Sequence, residues 1–260
     1  MRLEGRCAVV TGAAGGIGAA LARGAAREGA SVVCVDRDEH GSKQIADELC
    51  TQGFNAMGIA CDLADFSAVE RTLMKAVDFM GRVDTVFSNA GGTRVPETGR
   101  LATNPRVNFL DVDPQRWRQI VDDNLTSAFN VGLVFARTMA AGDGGAMVFT
   151  TSQLSQIVRP GLSPYVTAKG AVHQLVKAMA VDLAASRIRV NALAPGPTRV
   201  PVSEGFYATP EMQDQTQREV PLGRMAEPTE MVGAAMFLAS DEASFIIGAT
   251  IIVDGGYTII

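Results

Sequence analysis

Short β-branched, apolar runs alternate with longer stretches of helical spacing through most of this chain, and that alternation leaves few architectures open. The runs are residues 7–10, 31–35, 55–60, 85–88, 146–150, 188–193 and 250–253. Helical spacing between them predicts helices over 16–28, 41–51, 67–80, 114–140, 164–184 and 228–239. Four prolines sit one position after a candidate N-cap, at Asp113-Pro114, Ser163-Pro164, Thr209-Pro210 and Glu227-Pro228, and the first three caps are of a preferred type. Strands buried on both faces read as near-continuous hydrophobic runs, and CAVV, SVVCV and AMVF do so. The expected fold is α/β, a doubly wound parallel sheet of seven strands with helices on both faces.

With no internal repeat, low-complexity tract or linker to divide it, the chain is expected to form a single domain over 1–260. Two stretches lack periodicity, 92–112 and 195–209. Both follow predicted strands, at the sheet edge where ligands of such folds bind, so substrate loops are expected near 92–112 and 195–225.

Charge and cysteine usage narrow the partners. The sum is 23 − 28 = −5, spread without long runs of one sign, so no basic face points to nucleic acid or an anionic membrane. Cys7, Cys34, Cys50 and Cys61 include no C-x-x-C pair and read as reduced core thiols of a cytoplasmic protein. The small apolar segment 7–22 is interrupted by glycines, and no stretch approaches the roughly 18 to 20 residues of a membrane helix. Neither an export signal nor a membrane span is expected, and the partners are a small molecule and copies of the chain itself.

After the first run comes Thr11-Gly12-Ala13-Ala14-Gly15-Gly16-Ile17-Gly18, opening an alanine-rich helix. Gly12 suits a tight turn, Gly16 lets backbone N–H groups approach a pyrophosphate, and Gly18 allows close helix-to-strand packing. The spacing differs from the G-x-G-x-x-G fingerprint, so the glycines need a second signal. Asp36 supplies one: it ends the second run, about 20 residues past the glycines, where a ribose diol is gripped. A carboxylate there would repel the 2′-phosphate of NADP by around 4 kcal/mol before screening, at about 4 Å and an effective dielectric near 20. NAD is therefore expected, with NADP less favoured, although Arg37 could turn to the phosphate. Asp62 could reach an adenine amino group with Leu63 beside the ring, or merely cap a helix. Asn89-Ala90-Gly91 is small enough for backbone to lie against a cofactor.

Tyr165 and Lys169 stand four apart on one predicted helix, hence on one face. A phenol is a poor base at neutral pH, and an adjacent ammonium favours its phenolate, which brings proton exchange with an alcohol or carbonyl oxygen within reach. Ser152, just beyond the fifth run, would sit at the same sheet edge and hydrogen-bond that oxygen.

Taken together, these motifs resemble the short-chain dehydrogenase/reductase family in its single-domain branch of about 250 residues, with a Rossmann-type sheet. The family's T-G-x-x-x-G-x-G is similar to 11–18, its N-A-G to 89–91, and its Asn-Ser-Tyr-Lys tetrad to Asn124, Ser152, Tyr165 and Lys169. The resemblance implies that Asn124 bends its helix and holds a water linked to Lys169. It implies that Lys169 also binds nicotinamide-ribose hydroxyls and that Tyr165 is the general acid/base. Pro195 and Gly196 would lie beside the nicotinamide, with Thr198 contacting its carboxamide; a threonine usual two positions later is Val200 here. The implied activity is NAD-dependent interconversion of a secondary alcohol and a ketone without a metal, in a homotetramer or homodimer. Alternatives are an NADPH-dependent ketone or 3-oxoacyl thioester reductase, a dinucleotide-sensing binding protein, and an epimerase or dehydratase on the related larger fold.

The remaining residues carry less. Arg94, Arg100, Arg106 and Arg159 are outside candidates for substrate contact. His40 and His173 lack the partners of a metal or nucleophilic site. Met231 and Met236 fit a helix core, Asp122 and Asp123 read as a polar face, and Phe206, Tyr207, Met212 and Met225 either line an apolar pocket or pack a lid. Substrate identity stays open among a sugar, a cyclic alcohol, a hydroxy acid and an acyl thioester.

Overall fold

In the computed structural model, which describes residues 1–92, 107–201 and 209–260, seven parallel strands form one sheet. They are β1 (Cys7–Thr11), β2 (Ser31–Asp36), β3 (Ala56–Ala60), β4 (Thr85–Ser88), β5 (Gly145–Thr150), β6 (Ile188–Pro195) and β7 (Thr250–Val253), in the order β3-β2-β1-β4-β5-β6-β7. Each strand lies where an apolar run predicts it, within two residues at either end. The chain runs outward from β1 to β3 and then returns to pair β4 with β1, so the winding direction reverses between β1 and β4. A crevice opens at such a reversal, beyond the carboxyl ends of the strands.

Alternate strand residues feed two cores, one on each face of the sheet. Ala8 and Val10 pack with Leu21, Ile45, Leu49, Met231 and Met236 on one side, whereas Val9 packs with Val69, Phe135, Val172 and Val176 on the other. The helices covering the first face are α1 (Gly16–Arg27), α2 (Glu39–Thr51) and, later in the chain, Val232–Ala239; the second face carries α3 (Phe66–Met80), Ser127–Ala141 and Ser163–Leu183. Three aspartates start helices as acceptors for free backbone N–H groups: Asp38 for Gly41, Asp65 for Ser67 and Ala68, and Asp113 for Gln115 and Arg116.

Several helices differ from expectation. The helix predicted over 114–140 is interrupted: α4 (Pro114–Val121) runs into a π-helical turn, Asp122–Thr126, before α5 (Ser127–Ala141). Ser163 is the first residue of α6 (Ser163–Leu183) rather than its cap, and its hydroxyl is the one fully buried side-chain polar atom without a partner among the described residues. A helix absent from the periodicity reading, α7 (Pro210–Glu219), occupies part of the expected loop; its sequence PEMQDQTQRE is polar on every side and has no apolar stripe to announce it. The predicted helix over 228–239 begins as a 3₁₀ turn, Pro228–Met231, before α8 (Val232–Ala239).

Candidate active site

The glycine turn is built around close backbone approaches. Thr11 Oγ1 accepts from the N–H groups of Asn89 at 3.0 Å and Ala90 at 3.1 Å, drawing the end of β4 against the end of β1. Gly12 then turns with φ +69°, and a Cβ on it would stand 2.9 Å from Ala90 Cα. A Cβ on Gly18 would lie 1.9 Å from the Gly12 carbonyl oxygen, which is the close helix-to-strand packing expected of this position; Gly18 itself does not line the cavity. Gly16 has φ +54°, and a Cβ there would meet Val200 Cγ1 at 2.9 Å. Gly15 caps α1 without a side-chain acceptor and faces open space. The leading N–H groups of α1 therefore open onto a concave surface suited to a dinucleotide pyrophosphate.

Asp36 stands at the tip of β2, as expected, and has a second duty. Its Oδ2 accepts from Ala14 N and its Oδ1 from Asp38 N, both at 3.0 Å, so the carboxylate also holds the glycine turn in place. Arg37 reaches across to Asp123 at 3.7 Å, which places Asp123 in the cavity wall rather than on the solvated polar face expected. Asp62 accepts from Ala64 N at 3.0 Å and is not a helix cap; Asp65 takes that role. Leu63 is buried and lines the cavity, and its carbonyl accepts from Asn130 Nδ2 at 2.9 Å. Asn130 gave no sequence signal, because its only distinguishing feature is a partner 67 residues away.

Across the sheet edge, Lys169 is 3% exposed and donates from Nζ to the Thr150 carbonyl at 2.9 Å. Its Nζ lies 5.9 Å from the centre of the Tyr165 ring. Burial lowers the Lys169 ammonium to about 8, so it keeps its charge at neutral pH with little in reserve. The Ser152 hydroxyl donates to Gln153 Oε1 at 2.9 Å and accepts from Leu154 N at 3.1 Å. Gln153, buried in the cavity wall, is a functional candidate missed by sequence reasoning, which had no reason to single out the neighbour of Ser152. Asn124 sits inside the π-helical turn and donates from Nδ2 to the carbonyls of Gly92 and Ile120, at 2.8 and 2.9 Å. Gly91, with φ +141°, leaves no room for a Cβ, which would stand 2.6 Å from Asn124 Oδ1 and 3.3 Å from Lys169 Nζ.

Most of these parts share one cavity of about 890 Å³, which Asn124, buried beside Gly91, does not line. It is lined by Gly12, Gly15, Gly16, Ile17, Asp36, Arg37, Asp62, Leu63, Asn89, Ala90 and Gly91 in one half, and by Ser152, Tyr165 and Lys169 in the other. Pro195, Gly196 and Thr198 also reach it. The Thr198 hydroxyl donates to the Gly196 carbonyl at 3.0 Å, and Val200 packs against the glycine turn. Arg159, Gln215, Thr216, Glu219 and Tyr257 also line the wall.

Other candidates fall elsewhere. Arg94, Arg100, Arg106, Phe206 and Tyr207 lie outside the described residues, as does the side chain of Met212. Met225 is buried and away from the cavity lining. His173 is buried against Gln156 and Thr250, and burial together with Lys177 holds it below the usual histidine range. Cys7, Cys34 and Cys61 are buried, Cys50 is exposed rather than in the core, and all four are free thiols. Among the described residues no cluster of three metal-ligating side chains occurs, and no helix is long and apolar enough to cross a membrane.

Comparison with known proteins gives the family of the chain. Residues 12–258 match the family model described as enoyl-(acyl carrier protein) reductase. The chain belongs to the short-chain dehydrogenase/reductase family of oxidoreductases. It is 38% identical over 253 residues to cis-4-hydroxycyclohexanecarboxylate dehydrogenase of Sinomonas cyclohexanicum, covering 97% of this chain and 96% of the relative. It is 36% identical over 260 residues to galactitol 2-dehydrogenase (L-tagatose-forming) of Cereibacter sphaeroides, covering 99% and 97%. Among solved structures, gluconate 5-dehydrogenase from Burkholderia cenocepacia J2315, in complex with NADP and tartrate, superimposes with a TM-score of 0.91 at 34% identity, covering 100% of this chain and 97% of that one.

Proposed function

We propose that this protein interconverts a secondary alcohol and a ketone with a nicotinamide dinucleotide, Tyr165 acting as general acid/base. The observation that carries the reading is the convergence of Tyr165, Lys169 and Ser152 with the glycine turn in one cavity. When bound, the nicotinamide supplies or accepts the hydride. Tyr165 moves the proton at the substrate oxygen, and the neighbouring Lys169 ammonium lowers the cost of its phenolate. Ser152 holds the same oxygen by turning its hydroxyl from Gln153 Oε1 to the substrate. The glycine turn and the α1 N-terminus hold the pyrophosphate, and Asp36 accepts from the adenosine ribose.

Asp36 supports NAD(H) over NADP(H), since its charge opposes a 2′-phosphate. One observation favours a second reading, an NADPH-dependent ketone reductase: Arg37 is 61% exposed and loosely paired with Asp123, hence free to turn to a phosphate, and the related gluconate 5-dehydrogenase holds NADP. The relatives' names point to hydroxy acids and polyols as the first substrates to test. Exposed Phe245, Ile247, Ile252 and Ile259 near the edge strand β7 support self-association, which gel filtration tests.

Tyr165→Phe should lower turnover by at least about 100-fold, as for loss of a general acid/base, while dinucleotide affinity changes little. Turnover retained in that variant would rule out the proposed mechanism.

A further inference from the structure

Besides Asp36, Arg37, Asp38, Asp62 and Asp123 around the end of β2 and its neighbours, three charged side chains line the cavity among the described residues: Lys169, Arg159 and Glu219. The proposed chemistry uses only the first. Arg159, in the segment between β5 and α6, is held by two other elements. Its Nη2 pairs with Glu219 Oε2 of α7, and its Cζ lies 5.1 Å over the centre of the Tyr257 ring. Glu219 is itself fixed, because Oε1 accepts from Gln215 Nε2 at 2.7 Å. The Arg159 side chain is 23% exposed and is held by Glu219 and Tyr257 before any ligand arrives, which reduces the entropy lost on binding. Nη2 is committed, while Nε–H and the Nη1–H groups meet no acceptor among the described residues.

We propose that Arg159 is a specificity-determining residue that binds the carboxylate of a hydroxy-acid or keto-acid substrate, with Glu219 as its built-in counterion. This rests on the function proposed above and assigns the substrate class of that same site. A planar guanidinium edge matches a carboxylate through two parallel hydrogen bonds, which a hydroxyl cannot reproduce. With Glu219 opposite it the pair carries no net charge, so recognition comes from the paired hydrogen bonds of the guanidinium edge rather than from long-range attraction. The counterion also weakens the attraction, so the preference for an anion is moderate in size.

The test is calorimetric titration of the NADH-loaded protein with benzoate and hexanoate, each against its amide. The carboxylates should bind about tenfold more tightly than the amides, a difference near 1.4 kcal/mol. Arg159→Met should bring that ratio to about one, with NADH affinity unchanged, which also shows that the variant is folded. Glu219→Gln should raise carboxylate affinity roughly threefold and leave the amides unaltered, because it removes a like charge. A ratio near one in the parent protein, no measurable carboxylate binding, or a ratio that survives Arg159→Met overturns the assignment. Weaker carboxylate binding in Glu219→Gln overturns the counterion role. Failure of NADH itself to bind counts against the proposed function, whereas NADH binding without carboxylate preference counts against Arg159 alone.

Discussion

Asn124 and Gly92 are joined by hydrogen bonds in both directions, Gly92 N donating to Asn124 Oδ1 at 3.0 Å and Asn124 Nδ2 donating to the Gly92 carbonyl at 2.8 Å. One side chain thereby replaces the strand partner that the backbone loses beyond β4, and the π-helical turn puts that side chain at the right depth. Such turns are rare and concentrate at functional sites. Here the turn connects the segment after β4 to the helix that precedes β5, beside Lys169.

Asn124→Ala should therefore act on both stability and catalysis. It strips partners from Gly92 and from the buried Ile120 carbonyl, at a cost of about 1–3 kcal/mol. Thermal denaturation should show a lower midpoint, and turnover should fall more than dinucleotide affinity. An unchanged melting point would mean that water replaces the amide without loss.

Two glycines of one motif should respond in opposite ways. Gly18→Ala forces a methyl against the Gly12 carbonyl and should cost roughly 3 kcal/mol or more, with loss of dinucleotide binding. Gly15→Ala meets nothing within 4 Å and has extended backbone, so the melting point should stay nearly constant while affinity for NADH drops. Melting curves with and without NADH separate the two effects.

Asp36→Asn tests the coenzyme preference directly. The substitution removes the charge but keeps one acceptor oxygen for the turn. The ratio of NADPH to NADH affinity should rise by about ten- to hundredfold, equivalent to about 1.4–2.7 kcal/mol. Parallel fluorescence titrations at fixed salt measure it, and an unchanged ratio would assign the preference to Arg37 instead.

Lys169 should leave a signature in stability against pH. Its folded value near 8 lies below the ordinary 10.5 because burial opposes the charge, so between those limits the unfolded chain binds more protons. Stability conferred by Lys169 should be lowest below pH 8 and rise as pH increases to about 10.5, by roughly 3 kcal/mol at 1.4 kcal/mol per unit. Melting curves of the parent protein and Lys169→Met across that range isolate the contribution, since other titrating groups are shared. A constant difference between the two would show that Lys169 titrates normally.

How much of this was legible beforehand depends on whether the physics is local. The inner strands are buried on both faces and need apolar residues at nearly every position, and the partly buried edge strands β3 and β7 carry short apolar runs as well, so all seven strands were readable from their composition; glycines at close approaches made the turn after β1 readable too. Tyr165 and Lys169 were readable as a pair because helical pitch alone puts residues four apart on one face. Ser152 was readable from its place just beyond the fifth run, Asn124 was identified through the family motif, and the partners of both were not. The Gly92 bonds to Asn124 and the Arg37 contact with Asp123 depend on how distant backbone segments come to lie together, and the Gln153 bond to Ser152, though between neighbours, depends on the turn that buries both side chains. The same holds for Arg159, Glu219 and Tyr257, brought to one wall from three separate elements. Periodicity and composition act over a few residues, and so the sequence by itself determined the sheet and the pairing of Tyr165 with Lys169 on one helix face. The tertiary structure alone decided which charges from distant elements line the cavity, because it determines which side chains come to share it.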